Sequence, residues 1–98
     1  MSASFHHEEF CIAAAHPALP GHFPGQPIVP GVVLLDYVAA ALRRWRSVDI
    51  ASLPQVKILA SLLPEQIATI ELEPSATRVR FRVRRAEVLL ASGEIETT

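Results

Sequence analysis

A single cysteine, Cys11, excludes an internal disulfide and a cysteine-based zinc site. Long apolar runs are also missing. The longest, Val32 to Leu42, is interrupted by Asp36 and is too short to span a bilayer. The opening residues, MSASFHHEEF, show no positive region followed by an apolar core, so no signal peptide is expected and a cytoplasmic location is. An excess of one charge is absent too: nine basic against ten acidic residues leave a net charge of −1, which gives no reason to expect nucleic acid. Lysine is nearly absent. Apart from Lys57, every basic residue lies in the cluster Arg43, Arg44, Arg46 or in the run Arg78, Arg80, Arg82, Arg84, Arg85. Two local basic patches on a neutral chain suit an acidic partner docking at one face.

What is present fits one ordinary globular domain over residues 1–98, since half of the residues are hydrophobic and 19% are charged. A domain of this size buries a modest fraction of its surface, so a dimer is expected to support it. No internal repeat, low-complexity tract or linker is visible.

Glycine and proline are concentrated in one place. HPALPGHFPGQPIVPG, residues 16–31, holds five of the eight prolines and three of the four glycines. Proline removes donors and keeps the preceding residue out of helical angles, so this segment is neither helix nor central strand. A long irregular loop in a small domain is usually functional. Before it, Phe5, Phe10 and Ile12 form a loose period-two pattern over residues 4–14, read as a strand. After it, VVLLDYVAAALRRW reads as a helix by propensity and length. It is apolar nearly all round as far as Leu42, which predicts a buried helix, and Arg43, Arg44 and Arg46 suit its C-terminal dipole. Pro54 is read as closing a short connector. Residues 55–62 and 66–73 read as strands separated by a turn at Pro64-Glu65. Residues 77–84 alternate without fault, with Val79, Phe81 and Val83 on one face and arginines on the other. A last strand, residues 86–95, is expected to break at Ser92-Gly93.

The order is therefore strand, loop, helix and four strands, an α+β arrangement. One helix apolar on all sides needs a sheet that curls around it. That is a hot-dog fold: an antiparallel sheet of about five strands wrapped around a long buried helix at about residues 31–46. Such a sheet leaves apolar surface and an edge that a second copy could cover.

Asp36 falls in the second turn of that helix, where a buried carboxylate without a partner is costly. Either it caps a loop or pairs with an arginine, or it is an acid used in chemistry. A lone loop histidine such as His22 is ordinarily inert, but its neighbours change the argument. The loop leads into a helix opened by Pro30-Gly31. A helix N-terminus presents unsatisfied N–H groups and a positive dipole end, which stabilise a developing oxyanion, and Gly31 permits close approach to the backbone. One segment thus offers a base, an oxyanion site and an acid. His6, His7 and His16 have no acidic or thiol partners at ligand spacing, so no metal is expected, and His6-His7 reads as a solvent-facing pair.

GHFPGQPIVPGVVLLD, residues 21–36, resembles the active-site segment of the 3-hydroxyacyl-acyl carrier protein dehydratases. That family has a histidine in a GHFPG-type loop, a PGV-type helix start, and a carboxylate fourteen residues after the histidine. His22, Pro30-Gly31-Val32 and Asp36 match in turn. Residues 53–73 resemble the family's strand–turn–strand more weakly, with Glu65 where a glycine often follows the proline. The carboxylate is aspartate, as in the dehydratase-isomerase branch, whereas the chain's length and HPALPGHFPG opening look more like the short dehydratases of aryl polyene and related pigment clusters. Isomerase activity is therefore not inferred.

The resemblance implies dehydration to a trans-2-enoyl thioester, in fatty acid or aryl polyene biosynthesis. His22 would act as base, the Gly31 N–H as carbonyl holder and Asp36 as acid. It also implies that His22 and Asp36 of one site come from different protomers of a homodimer or hot-dog heterodimer. Phe23, Gly25, Val32 and Leu35 would contact the substrate. No resident cofactor is implied, because the acyl carrier protein brings its own phosphopantetheine. Arg43, Arg44 and Arg46, or Arg78, Arg80 and Arg82, would dock that carrier, although the second group is most simply the solvated face of a strand. Hydrolysis of an acyl thioester, and a subunit acting mainly through a partner, remain the alternatives, because the fold alone does not decide function.

Overall fold

A computed structural model of the chain describes residues 5–13 and 28–98. Its elements are β1 (His6–Cys11), α1 (Gly31–Arg46), β2 (Ile50–Ile58), β3 (Ile67–Ser75), β4 (Arg78–Arg85) and β5 (Val88–Thr97). The strands form one antiparallel sheet in the order β1-β3-β4-β5-β2, with β1 and β2 at its edges.

Period-two alternation sets the two faces. Val79, Phe81 and Val83 of β4 are buried, as are Ala68, Ile70 and Leu72 of β3, and they meet Val33, Leu34, Val38, Ala41 and Leu42 of α1 in a single core. Burying each larger side chain of this set stabilises the fold by roughly 1.5–3 kcal/mol. On β5 the alternation slips: Leu90 and Ala91 are both buried, and the register shifts opposite Val83 and Arg84. A β-bulge of this kind bends the strand and increases its twist, which lets the sheet curl toward α1.

The helix begins where glycine and proline place it. Pro30, at φ −62° and ψ 145°, is the N-cap, and Gly31 is the first helical residue. The helix stops at Ser47, whose left-handed φ of 58° turns its N–H back to the Arg43 carbonyl at 2.8 Å.

Three expectations are corrected. Pro54 lies inside β2, which starts at Ile50 and ends at Ile58, rather than in a connector. An edge strand tolerates proline because it has no ladder partner on one side, and the register shifts around Pro54 accommodate it. Ser92-Gly93 does not break β5, which runs through to Thr97. Finally, α1 is not buried on all sides. The sheet covers only one side of it, leaving Val32 65% exposed and Asp36 and Ala40 exposed as well.

Candidate active site

Gly31 stands at the positive end of α1. Among the described residues no side chain caps this terminus; Val33 N–H donates to the Pro30 carbonyl at 3.0 Å, which leaves the Gly31 and Val32 N–H groups with the unsatisfied character of a helix start. Beside it lies a groove of about 290 Å³ lined by Pro30, Gly31, Leu34, Ile58, Leu59 and Ser61, among others. Among the described residues a Cβ built on Gly31 would meet the Ile58 side chain, at an ordinary 3.5 Å. The packing of the described residues therefore has room for alanine here. Ile58 and Leu59, 52% and 54% exposed, extend the groove as apolar surface. Sequence reading did not single them out, although the run KILASLL was the available signal.

Asp36 lies one and a half turns further along the helix. Val32, Asp36 and Ala40, four residues apart, share the open face of α1. Asp36 is exposed, so the argument from the cost of burial does not apply to a single chain. Among the described residues it forms neither an ion pair nor a hydrogen bond, which removes the arginine-pairing reading. Leu35 packs against the core from a half-buried position. His22, Phe23, Gly25 and His16 lie outside the described residues.

Three side chains of α1, Tyr37, Arg44 and Trp45, tie the helix to β1. Phe10 stacks on Tyr37 at 4.7 Å, Arg44 donates to Glu8 at 2.6 and 3.0 Å, and His6 stacks on Trp45 at 5.8 Å. The hydrogen bond from Arg44 holds the Glu8 carboxyl below the usual carboxylate range. His6 and His7 are consequently not a solvent-facing pair. They alternate across the strand, and His6 is half-buried with Nε2 2.8 Å from Glu8. No metal-holding cluster is found among the described residues.

Both basic clusters are partly neutralised. On the outer face of the sheet Arg78 pairs with Glu94 and Glu96, Arg80 with Glu73, Arg82 with Glu71 and Glu73, and Arg84 with Glu71. Four arginines there meet four glutamates. At the helix end Arg43 pairs with Asp49 and Arg44 with Glu8, while Arg46 lies 4.1 Å over the Trp45 ring. No described helix is long and apolar enough to cross a membrane.

The comparisons agree with this arrangement. A chain of the dehydratase heterocomplex ApeI:P from Xenorhabdus doucetiae superposes with a TM-score of 0.83 at 21% identity, over 95% of this chain and 86% of that one. An uncharacterised protein from Erwinia carotovora subsp. atroseptica gives 0.81 at 24% identity, over 96% and 82%. A variant of the fluoroacetyl-CoA-specific thioesterase FlK gives 0.71 at 13%, over 96% and 83%. These likenesses show the hot-dog fold. Among curated protein sequences none matches the chain significantly. The family model of the ApeI-like dehydratases matches residues 3–94. The chain belongs to the ApeI-like dehydratase family.

Proposed function

We propose that this dehydratase removes water from a 3-hydroxyacyl thioester carried by acyl carrier protein, yielding the trans-2-enoyl thioester. The observation that carries the reading is a helix N-terminus at Gly31 that no described side chain caps, opening on an apolar groove, with Asp36, unpaired among the described residues, on the open face of the same helix. His22 takes the C2 proton. The Gly31 N–H holds the thioester oxygen as negative charge builds on it, and Asp36 donates a proton to the C3 hydroxyl, which leaves as water. The C2 proton is weakly acidic, so an imidazole can remove it only if the enolate-like oxygen is stabilised at once. Phe23, Gly25, Val32 and Leu35 contact the acyl chain, whose saturated or polyene character these groups serve equally. The enzyme acts in the cytoplasm, in the biosynthesis of fatty or aryl polyene chains.

A dimer completes the site. The open stripe Val32–Asp36–Ala40 and the unpaired edge of β2 both await cover, and a second copy or a related hot-dog chain supplies it. The heterocomplex of the structural neighbour makes a related chain a concrete second case. The test is to incubate the chain with 3-hydroxyacyl-carrier protein and follow enoyl product and free thiol together. Enoyl product without thiol supports dehydration. Thiol release without enoyl product would establish a thioesterase instead.

The role of Gly31 is separable from its fold. Pro30 already has the backbone angles that a following proline requires, and proline is favoured at the first helical position. Gly31→Pro should therefore fold normally while losing the N–H, and dehydration should fall roughly 100- to 1,000-fold. Gly31→Ala keeps the N–H and should lose far less. Equal losses in the two variants would assign the position to space rather than to the N–H.

The carrier docks at the helix end, where Arg46 has an aromatic rather than a carboxylate neighbour. Arg43→Glu combined with Arg46→Glu should raise KM for carrier-bound substrate roughly tenfold and leave a pantetheine thioester unaffected. A parallel rise for both substrates would place the effect on the site rather than on docking.

A further inference from the structure

On the face of the sheet away from α1, three strands bring Lys57 of β2, Ser92 of β5 and Arg82 of β4 into one row. Lys57 is in register with Ser92, and Ser92 with Arg82. Neighbouring strands lie about 4.8 Å apart, so the Ser92 hydroxyl stands between two cations, each one strand away. The three residues line a shallow depression of about 180 Å³, with Gln55, Arg80 and Glu94 around it. That is about six water volumes, enough for a small anion and part of its hydration.

The charges of this face cancel in number but not position by position. Glu94 is drawn to Arg78 at 2.8 Å. Arg82 meets its glutamates only at 3.7 and 4.0 Å, beyond hydrogen-bonding distance, so its fork of donors is not consumed by them. Lys57 is exposed and has no ion-pair partner among the described residues. A guanidinium fork, a point charge and a hydroxyl donor, set in one row across three strands and lining one depression, match the oxygens of a tetrahedral anion.

We propose that Lys57, Ser92 and Arg82 form a binding site for a phosphate-class anion on the outer face of the sheet. Two sources share this chemistry: the phosphodiester of a carrier's phosphopantetheine arm, and a free phosphate. Only the first rests on the dehydratase reading above.

The probe is inorganic phosphate, titrated against chloride at matched ionic strength while the backbone amide resonances of residues 57, 82 and 92 are followed. The wild type should show saturable shifts that chloride does not produce. Lys57→Gln and Arg82→Gln should each weaken phosphate binding roughly tenfold, while Arg85→Gln, whose guanidinium faces Ser61 and Gln66, leaves it unchanged. Ser92→Ala removes only a half-exposed hydroxyl and should weaken binding in the same direction, which keeps the test valid if a charge variant fails to fold. Shifts that do not saturate, or equal affinity in wild type and both charge variants, overturn the site. Turnover is not needed for this titration, so its result stands apart from that of the dehydration assay. The source follows from KM. A rise in Lys57→Gln for carrier-bound but not pantetheine substrate assigns the anion to the arm. Unchanged KM with lost phosphate binding assigns it to free phosphate.

Discussion

His22→Ala and Asp36→Asn should each lower dehydration of a 3-hydroxyacyl-carrier protein by roughly 100- to 10,000-fold, the range in which positioned acids and bases contribute. The structure sharpens what should accompany that loss. Asp36 is exposed and forms no ion pair or hydrogen bond with the described residues, so Asp36→Asn should leave the stability of the single chain within about 0.5 kcal/mol of wild type. A buried, unpaired carboxylate would behave otherwise, because removing its charge would stabilise the chain. Unchanged melting of the dissociated chain, with collapsed turnover of the dimer, is therefore the expected signature of a group kept for chemistry. If the two residues of one site come from different protomers, an exchanged mixture of the variants regains activity. Half of the dimers are then mixed, and each mixed dimer has one complete site, giving about a quarter of wild-type turnover. No recovery after subunit exchange would place both residues of a site in one chain. Full activity in both single variants would remove His22 and Asp36 from the mechanism altogether.

Much of this arrangement was legible because local chemistry and global fold agree. The bounds of α1 follow from Pro30-Gly31 at its start and the arginines at its end, and the structure has it at Gly31–Arg46 as expected. β4 was equally plain, since Val79, Phe81 and Val83 alternate with arginines and the sheet buries the apolar set. The misreadings have a common cause. Pro54 and Ser92-Gly93 carry the residue types of turns, yet whether they interrupt a strand depends on which strand is an edge and how closely its neighbour approaches. Those are facts of topology. The burial of Asp36 was inferred from apolar neighbours along the helix, but one five-stranded sheet covers only one side of a helix. Composition describes the helix, whereas its open face is a property of how many chains surround it. His6 and His7 were paired because they are adjacent, while a strand sends adjacent residues to opposite faces. The row Lys57–Ser92–Arg82 could not be read at all, because its members are up to 35 residues apart and meet only through strand register.

Gly93→Ala should be the most damaging single methyl in the sheet. Gly93 is buried in β5, opposite Val56 on one side and Phe81 on the other. A Cβ there would lie 2.1 Å from the Gln55 carbonyl oxygen and 2.8 Å from the Phe81 ring. The ring is fully buried, so it has little room to turn away. The carbonyl oxygen is backbone, so β2 itself must shift. As an edge strand, β2 has β5 as its one sheet neighbour among the described residues, and Ile50, Leu53 and Val56 pack it on the core, so the shift must loosen that packing as well as the pairing. Overpacking of this kind costs about 3 kcal/mol, which for a domain of this size lowers Tm by roughly 12–24 °C. The cost should fall unevenly. β2 should lose hydrogen-exchange protection before β3 and β4 do, because the strain sits at its only pairing. Dehydration should fall with it, since the end of β2 carries Ile58, which lines the groove beside Gly31. Gly93→Ala combined with Phe81→Leu relieves the ring contact but not the carbonyl contact, so it should recover only part of the loss. A Tm within 2 °C of wild type in Gly93→Ala would show that β2 can move outward at little cost. The edge on which the proposed dimer depends would then be a loose one, and the damage would have to be sought in assembly rather than in folding.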